Sequence, residues 1–221
     1  MNQIVDYYND LAKEYDQDRF ENSYGKFIDF QERRILDKLL IDNNEVILDL
    51  ACGSGRFMNY ASLGVDASEE MLKVAKEKHP EKNFYFSDAS QIPLEDNSID
   101  TIITFHFFMH LDLKKVQEIL KECNRVLKKN GRIIFDIPSA KRRSLIRYKK
   151  SGWHGNFALS SNEIKNLSND FELVSSFGIL FIPIHRVPVR IRSLFIKLDK
   201  FLSNSWLKEY SSYHVIVLKK R

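Results

Sequence analysis

Apolar and polar positions change period along this chain, and the changes predict an alternation of helices and strands. Over the first 40 residues the spacing is helical: in KFIDFQERRILDKLL, Phe27, Phe30, Ile35 and Leu39 recur at close to one turn. Short, dense apolar runs then predict strands at 46–51 (VILDLA), 63–66, 83–87 (NFYFS), 99–105 (IDTIITF) and 132–137 (RIIFDI). Two helices fall between them. Residues 68–79 carry Ser68 as N-cap and Pro80 just beyond the end. Residues 113–129 place Val116, Ile119, Leu120, Cys123, Val126 and Leu127 on one face, with Gly131 as the stop. Strands that alternate with helices imply crossover units and a parallel sheet. Further on come a Ser-capped helix at 160–168, a β-rich stretch at 171–182, a Pro-punctuated basic helical segment at 183–210 and a last strand at 213–218 (YHVIVL).

Length changes this picture little: 221 residues suit a single domain over 1–221, with a helical lead-in at 1–42 and the 183–210 segment as a basic lid or insertion. Nothing near 18 consecutive apolar residues occurs, so no transmembrane helix is expected. The acidic opening MNQIVDYYNDLAKEYDQD lacks the apolar core of a secretory signal. Cys52 and Cys123 lack metal-ligand spacing and read as reduced thiols of a cytoplasmic protein. Charge adds an asymmetry. Residues 1–137 hold 18 Lys and Arg against 25 Asp and Glu, whereas residues 138–221 hold 16 against 5. The C-terminal part therefore either faces something anionic or presents a solvated basic surface.

Candidate chemistry concentrates in VILDLACGSGRF, residues 46–57. An apolar strand runs into an acid, a small-residue turn and an expected helix start. Gly53 and Gly55 let the backbone turn tightly and let a ligand lie against it, and a helix N-terminus would present free N–H groups. A dinucleotide fingerprint requires a third small residue where Met58 stands. Asp49 suits the ammonium of an amino-acid-like cofactor and would repel a diphosphate. Two more acids follow at strand tips: Asp66 in LGVDAS, placed for ribose hydroxyls, and Asp88 in YFSDAS, placed for an adenine amino group beside the small Ala89.

This ordered series resembles the class I S-adenosylmethionine (SAM)-dependent methyltransferases, particularly the small methyltransferase-domain proteins that act on metabolites and lipids. LDLACGSGRF is similar to their first motif, VDASEEML to the acidic motif, FSDASQIPLEDNSIDTI to the adenine-side motif and NRVLKKNGRIIFDI to the segment through strand five. YYNDLAKEYDQDR resembles their lead-in helix. The resemblance implies an α/β, three-layer αβα Rossmann-like methyltransferase fold, with a mostly parallel seven-stranded sheet whose last strand is antiparallel. It implies SAM as cofactor and S-adenosylhomocysteine as product. Asp49, Ala51, Cys52, Gly53 and Gly55 would line the methionine end, and Asp66 the ribose. Ala67 and Met71 would flank the adenine, with Asp88 and Ala89 at its edge and Phe105 alongside. Tyr15 and Arg19 are contacts from the lead-in segment, Arg19 toward the SAM carboxylate.

In TFHFFMHL, after strand four, His106 and His110 are the candidate general bases. The Asn/Asp-Pro-Pro-aromatic signature of nucleobase amino-methylation is missing there, which argues against a nucleic-acid substrate. No Cys/His cluster has zinc-ligand spacing. In 188–204, Ile191, Leu194, Phe195, Leu198, Phe201 and Leu202 form an apolar stripe beside Arg190, Arg192, Lys197 and Lys200. Such a basic amphipathic helix is either a lid with its stripe buried or a contact with an anionic membrane surface at the inner face, and the basic run 141–150 could serve either role. Trp153, His154 and Trp206 are candidate pocket residues. The expected function is methyl transfer to a small-molecule or lipid-linked acceptor. The alternatives are an RNA methyltransferase, a non-catalytic SAM-binding regulator and an NAD enzyme.

Overall fold

A computed structural model of the chain describes residues 2–42, 44–149 and 155–221; Lys150, Trp153 and His154 lie outside them. Three helices lead in: α1 (Asn2–Leu11), α2 (Tyr15–Phe20) and α3 (Ser23–Leu39). The body follows as β1 (Ile47–Leu50), β2 (Leu63–Asp66), α4 (Glu69–Lys78), β3 (Asn83–Phe86), β4 (Ile99–Thr104), α5 (Leu113–Val126) and β5 (Leu127–Pro138). The C-terminal part adds α6 (Ala140–Leu145), α7 (Ser161–Lys165), β6 (Phe171–Ile179), α8 (Arg192–Asn204) and β7 (Tyr213–Lys220). The strands form one sheet in the order β3-β2-β1-β4-β5-β7-β6. Only β7 runs against its neighbours, pairing antiparallel with both β5 and β6.

Two apolar cores sandwich this sheet. One packs α5 and α7 against it through Val116, Ile119, Leu120 and Ile164, and the other packs α3 and the 51–61 segment through Ile35, Leu36, Phe57 and Met58. The result is the three-layer αβα architecture expected from the strand–helix alternation. Strand order reverses between β1 and β4, so the chain leaves a crevice beyond the carboxyl ends of these strands, where open α/β sheets bind ligands.

Four local expectations change. Residues 53–60 form consecutive turns, not a helix, with Gly55 N–H donating to the Cys52 carbonyl and Met58 N–H to the Gly55 carbonyl. Too few residues separate the turn from β2 for a helix to form and return. Helix α5 stops at Val126, ahead of Gly131, because Leu127 turns extended and pairs with Ile99 of β4. The predicted helix at 160–168 is shorter, although its Ser160 cap is joined by Glu163 in a full capping box. The stripe on α8 is split: Leu194 is 74% and Phe201 70% exposed, while Phe195, with Ile196, packs against Phe27, Ile28, Leu180 and Ile184. The fully buried residues of α8 are the polar Asp199 and Ser203. Asp199 accepts from Gln31 Nε2 at 2.8 Å and from the Ile182 N–H at 2.7 Å, while Gln31 accepts from the Leu180 N–H at 2.9 Å. These bonds dock α8 on α3 and the end of β6. Satisfying that buried carboxylate turns Asp199 inward and leaves Leu194, Leu198 and Phe201 outside.

Candidate active site

At the switch point a crevice opens over the tips of β1, β2 and β4. Asp49, Ala51, Cys52, Gly53, Asp66, Ala67, Met71, Asp88, Ala89, Phe105, Tyr15, His106 and His110 all line it. Its shape begins in the turn after β1, where Ala51, Gly53 and Gly55 all take positive φ (58°, 53° and 79°). A side chain on Gly53 would meet only Met71 Sδ, at 4.0 Å, so this backbone faces open crevice. Gly55 does not line the crevice. It lies against α4, where a Cβ would come within 3.1–3.3 Å of His79, Ala75 and Met58, so its role is close packing of the turn.

Three acids supply the polar wall. Asp66 accepts from Gly53 N–H and Ser68 N–H, each at 2.8 Å, which clamps the turn to the start of α4 and leaves further lone pairs toward the crevice. Asp88 holds Ser90 N–H at 2.8 Å on Oδ1, with Lys115 Nζ at 3.3 Å, while its buried Oδ2 has no hydrogen-bond partner. Asp49 is 2% exposed, and no protein donor among the described residues bonds its carboxylate. Burial, countered by Arg56 and reinforced by Asp66, pushes its carboxyl up to about 8. A ligand that brings a cation to Asp49 and an N–H donor to Asp88 would supply what both groups lack. An amino-acid-bearing adenine nucleoside carries both.

The roof was not foreseen. Ile4, Val5 and Tyr8 of α1 close the crevice, tied down by Ser68 Oγ donating to Asn9 Oδ1 at 2.6 Å. Ser54 Oγ donates to Asp16 of α2 at 2.6 Å, and Lys78 pairs with the same acid. Arg56 also lines the crevice; its guanidinium stacks over Phe20 and Phe57 at 4.0 and 3.9 Å and bonds Asp29 and Glu32. Arg19 lies elsewhere. It faces a second, more open chamber that shares Tyr8, Tyr15, His106 and His110 with the first. The 183–210 segment, expected as a lid, lines neither chamber among the described residues, and Trp206 is 84% exposed.

His106 and His110 sit in the shared wall in different surroundings. His110 Nδ1 accepts from the Gly155 N–H at 3.2 Å, so the neutral ring carries its proton on Nε2, which lies 3.2 Å from the Tyr8 hydroxyl oxygen and donates to it. His106 adopts φ 56° at the end of β4, held there by its N–H donating to Asp136 Oδ1 at 2.6 Å. Its Nε2 is 2.8 Å from Glu32 Oε1, an ionic contact poorly aligned for a hydrogen bond, and its Nδ1 is 3.7 Å from Asp136. Burial lowers the His106 pKa, but Glu32 and Asp136 raise it by more, so the protonated ring is favoured above the usual imidazole range. Burial likewise raises Glu32, and His106 and Arg56 more than offset it, leaving the carboxyl at about 2. Glu32, His106 and Asp136 are the one group of potential metal ligands among the described residues, their ligand atoms within 4.8 Å of one another. The 2.8 Å N–O contact is shorter than the roughly 3.3 Å between two ligands on one tetrahedral metal, and Arg56 already bonds Glu32, so the cluster fits an ion-pair network.

Fold and site together define a nucleoside-binding αβα protein with a roofed crevice at the switch point. Residues 48–135 match the methyltransferase-domain family model. A protein of Methanocaldococcus jannaschii is 30% identical, covering 98% of this chain and 90% of its own length. The demethylmenaquinone methyltransferase of Thermotoga maritima is 31% identical over 57% of this chain; the match spans 57% of that enzyme. Among solved structures, a SAM-dependent methyltransferase of Thermotoga maritima superposes with a TM-score of 0.73 at 21% identity, over 98% of this chain and 99% of its own. The chain belongs to the class I SAM-dependent methyltransferases, and S-adenosylmethionine is its cofactor.

Proposed function

We propose that the protein methylates a small-molecule or lipid-linked acceptor held in the second chamber. The observation that carries this reading is the shared wall: Tyr8, Tyr15, His106 and His110 border both chambers, so a nucleophile in one faces the cofactor's methionine end in the other. Relatives lend support, since they include proteins named as demethylmenaquinone, ubiquinone/menaquinone and malonyl-[acyl-carrier protein] methyltransferases.

In this reading Asp49 holds the SAM ammonium, Asp66 the ribose hydroxyls and Asp88 Oδ2 the adenine amino group. Ala67, Met71, Ala89 and Phe105 pack the base and sugar. SAM brings a methyl already activated by its sulfonium. The residues' task is to orient the acceptor within about 3–3.5 Å of that methyl and to exclude water, for which α1 serves as roof. In this reading neither histidine is the general base: Glu32 and Asp136 favour the protonated form of His106, and His110 turns its lone pair to the Gly155 N–H. The whole of 1–221 acts as one unit. No helix among the described residues is long and apolar enough to cross a membrane. The exposed stripe of α8 makes a peripheral contact with an anionic bilayer, which would bring lipid-linked acceptors to the chamber.

Calorimetric titration with SAM and S-adenosylhomocysteine tests the cofactor site; Asp66→Ala is expected to weaken both at least tenfold. Incubating cell extract with protein and methyl-labelled SAM then asks which fraction gains label. Label in the small-molecule or lipid fraction supports the reading. Label confined to RNA, or tight SAM binding with no transfer, overturns it.

A further inference from the structure

We propose that the acceptor carries an anionic group, a carboxylate or a phosphate, and that Arg19 and Arg143 recognise it in the second chamber. This rests on reading that chamber as the acceptor site. The argument starts from where the chain's carboxylates are. Every Asp and Glu lies within the described residues, and none comes within ion-pair distance of Arg19 or Arg143. Arg19 donates only a long 3.5 Å bond to the Tyr7 hydroxyl. Arg143 reaches the Phe157 carbonyl at 3.4 Å and stacks over Tyr148 at 4.5 Å. Burial lowers the Arg143 pKa, with only tyrosines to oppose it.

The acids near this wall are already answered. Glu32 and Asp136 face His106, and Glu32 also bonds Arg56. Asp18 lines the chamber from its exposed rim. The chamber therefore presents the half-buried Arg143 guanidinium and, at its exposed rim, that of Arg19, neither of them paired with a carboxylate. Partial burial of the Arg143 guanidinium without a counter-charge is unfavourable, and a planar oxyanion matches its donor geometry and that of Arg19. Tyr7, Tyr24, Tyr148 and Tyr213 supply flat apolar faces and hydroxyls around it, which suits an aromatic or otherwise planar acid. A cationic amine with no acid group would meet the like charges of Arg19 and Arg143.

The test uses the full chain saturated with S-adenosylhomocysteine and titrated with benzoate, phenyl phosphate, benzyl alcohol and benzylamine. Benzoate or phenyl phosphate is expected to bind at least tenfold more tightly than the neutral and cationic probes, and which of the two binds tells carboxylate from phosphate recognition. Arg143→Gln and Arg19→Gln should each weaken the anionic probe about tenfold, and Arg143→Lys should recover part of the loss, while affinity for S-adenosylhomocysteine stays within twofold. Equal binding of benzylamine, no binding of either acid, or indifference to both substitutions overturns the proposal. If S-adenosylhomocysteine itself fails to bind, the cofactor reading fails separately, and the same probes on the unliganded chain still decide whether this is an anion site.

Discussion

At the scale of single residues, the proposed cofactor site rests on a buried carboxyl that no protein donor among the described residues bonds. Asp49 is buried with its carboxyl raised to about 8, so at pH 7 the free protein holds it largely protonated. Binding an ammonium and a sulfonium beside it favours the carboxylate, so the proton must leave. Titrations at pH 7 in buffers of different ionisation enthalpy are expected to show nearly one proton released per SAM bound. Affinity should rise from pH 6 to 8 and then level off; a proton count near zero would contradict the assignment. The Glu32–His106 contact behaves in the opposite sense. His106 has a folded pKa above its unfolded value, so its stabilising contribution is complete below about 6.5 and fades as pH rises through the folded value. The stability gap between wild type and His106→Gln in urea unfolding should therefore shrink between pH 6 and 9. Glu32→Gln, which leaves Arg56 and His106 without their shared partner, should cost about 3 kcal/mol near neutrality.

Secondary-structure elements divide by how local their causes are. The tips of β1, β2 and β3 were readable because each is written in a few consecutive residues: an apolar run, an acid, then small residues. Asp49, Asp66 and Asp88 accordingly converge on one crevice. The second chamber was not readable. Its walls come from α1–α3, the 106–110 turn, Arg143, Gly155 and Tyr213, and only tertiary packing joins them. Helix α8 shows why period alone misleads: 3.6-residue spacing finds an apolar stripe, but the buried bonds of Asp199 decide which face turns inward. The roof of α1 could have been suspected from Ile4, Val5 and Tyr8 at helical spacing, but its tether, Ser68 to Asn9, joins residues 59 apart in sequence. That tether makes the roof testable. Asn9→Ala removes a hydrogen bond worth about 1 kcal/mol, so S-adenosylhomocysteine should dissociate roughly fivefold faster in stopped-flow experiments. Amide exchange in residues 2–11 should lose the slowing that ligand confers on wild type.

For the whole molecule, the decisive fact is that charge and exposed apolar surface coincide in the last third of the chain. Residues 138–221 carry 16 basic and 5 acidic groups, and here Leu194, Phe201 and Trp206 stand 74%, 70% and 84% exposed. Leu194, Leu198 and Phe201 follow at i, i+4 and i+7, forming a single stripe, with Lys197 and Lys200 exposed on the same helix. A solvated basic surface would need the lysines but not the stripe. A face buried between two copies would need the stripe but would suffer from the repeated positive charge. An anionic bilayer satisfies both, taking apolar side chains to headgroup depth and basic ones at about 1 kcal/mol each. The protein should therefore sediment with phosphatidylserine-containing vesicles at low salt, much less with phosphatidylcholine alone, and progressively less as salt shortens the screening length. Leu194→Glu with Phe201→Glu should abolish sedimentation while leaving S-adenosylhomocysteine affinity intact, because neither side chain lines a chamber. Trp206 fluorescence should shift to the blue on vesicle binding. A chain that forms dimers through this stripe, or that ignores vesicles of both compositions, would remove the bilayer from the account and leave the acceptor to reach its chamber from solution.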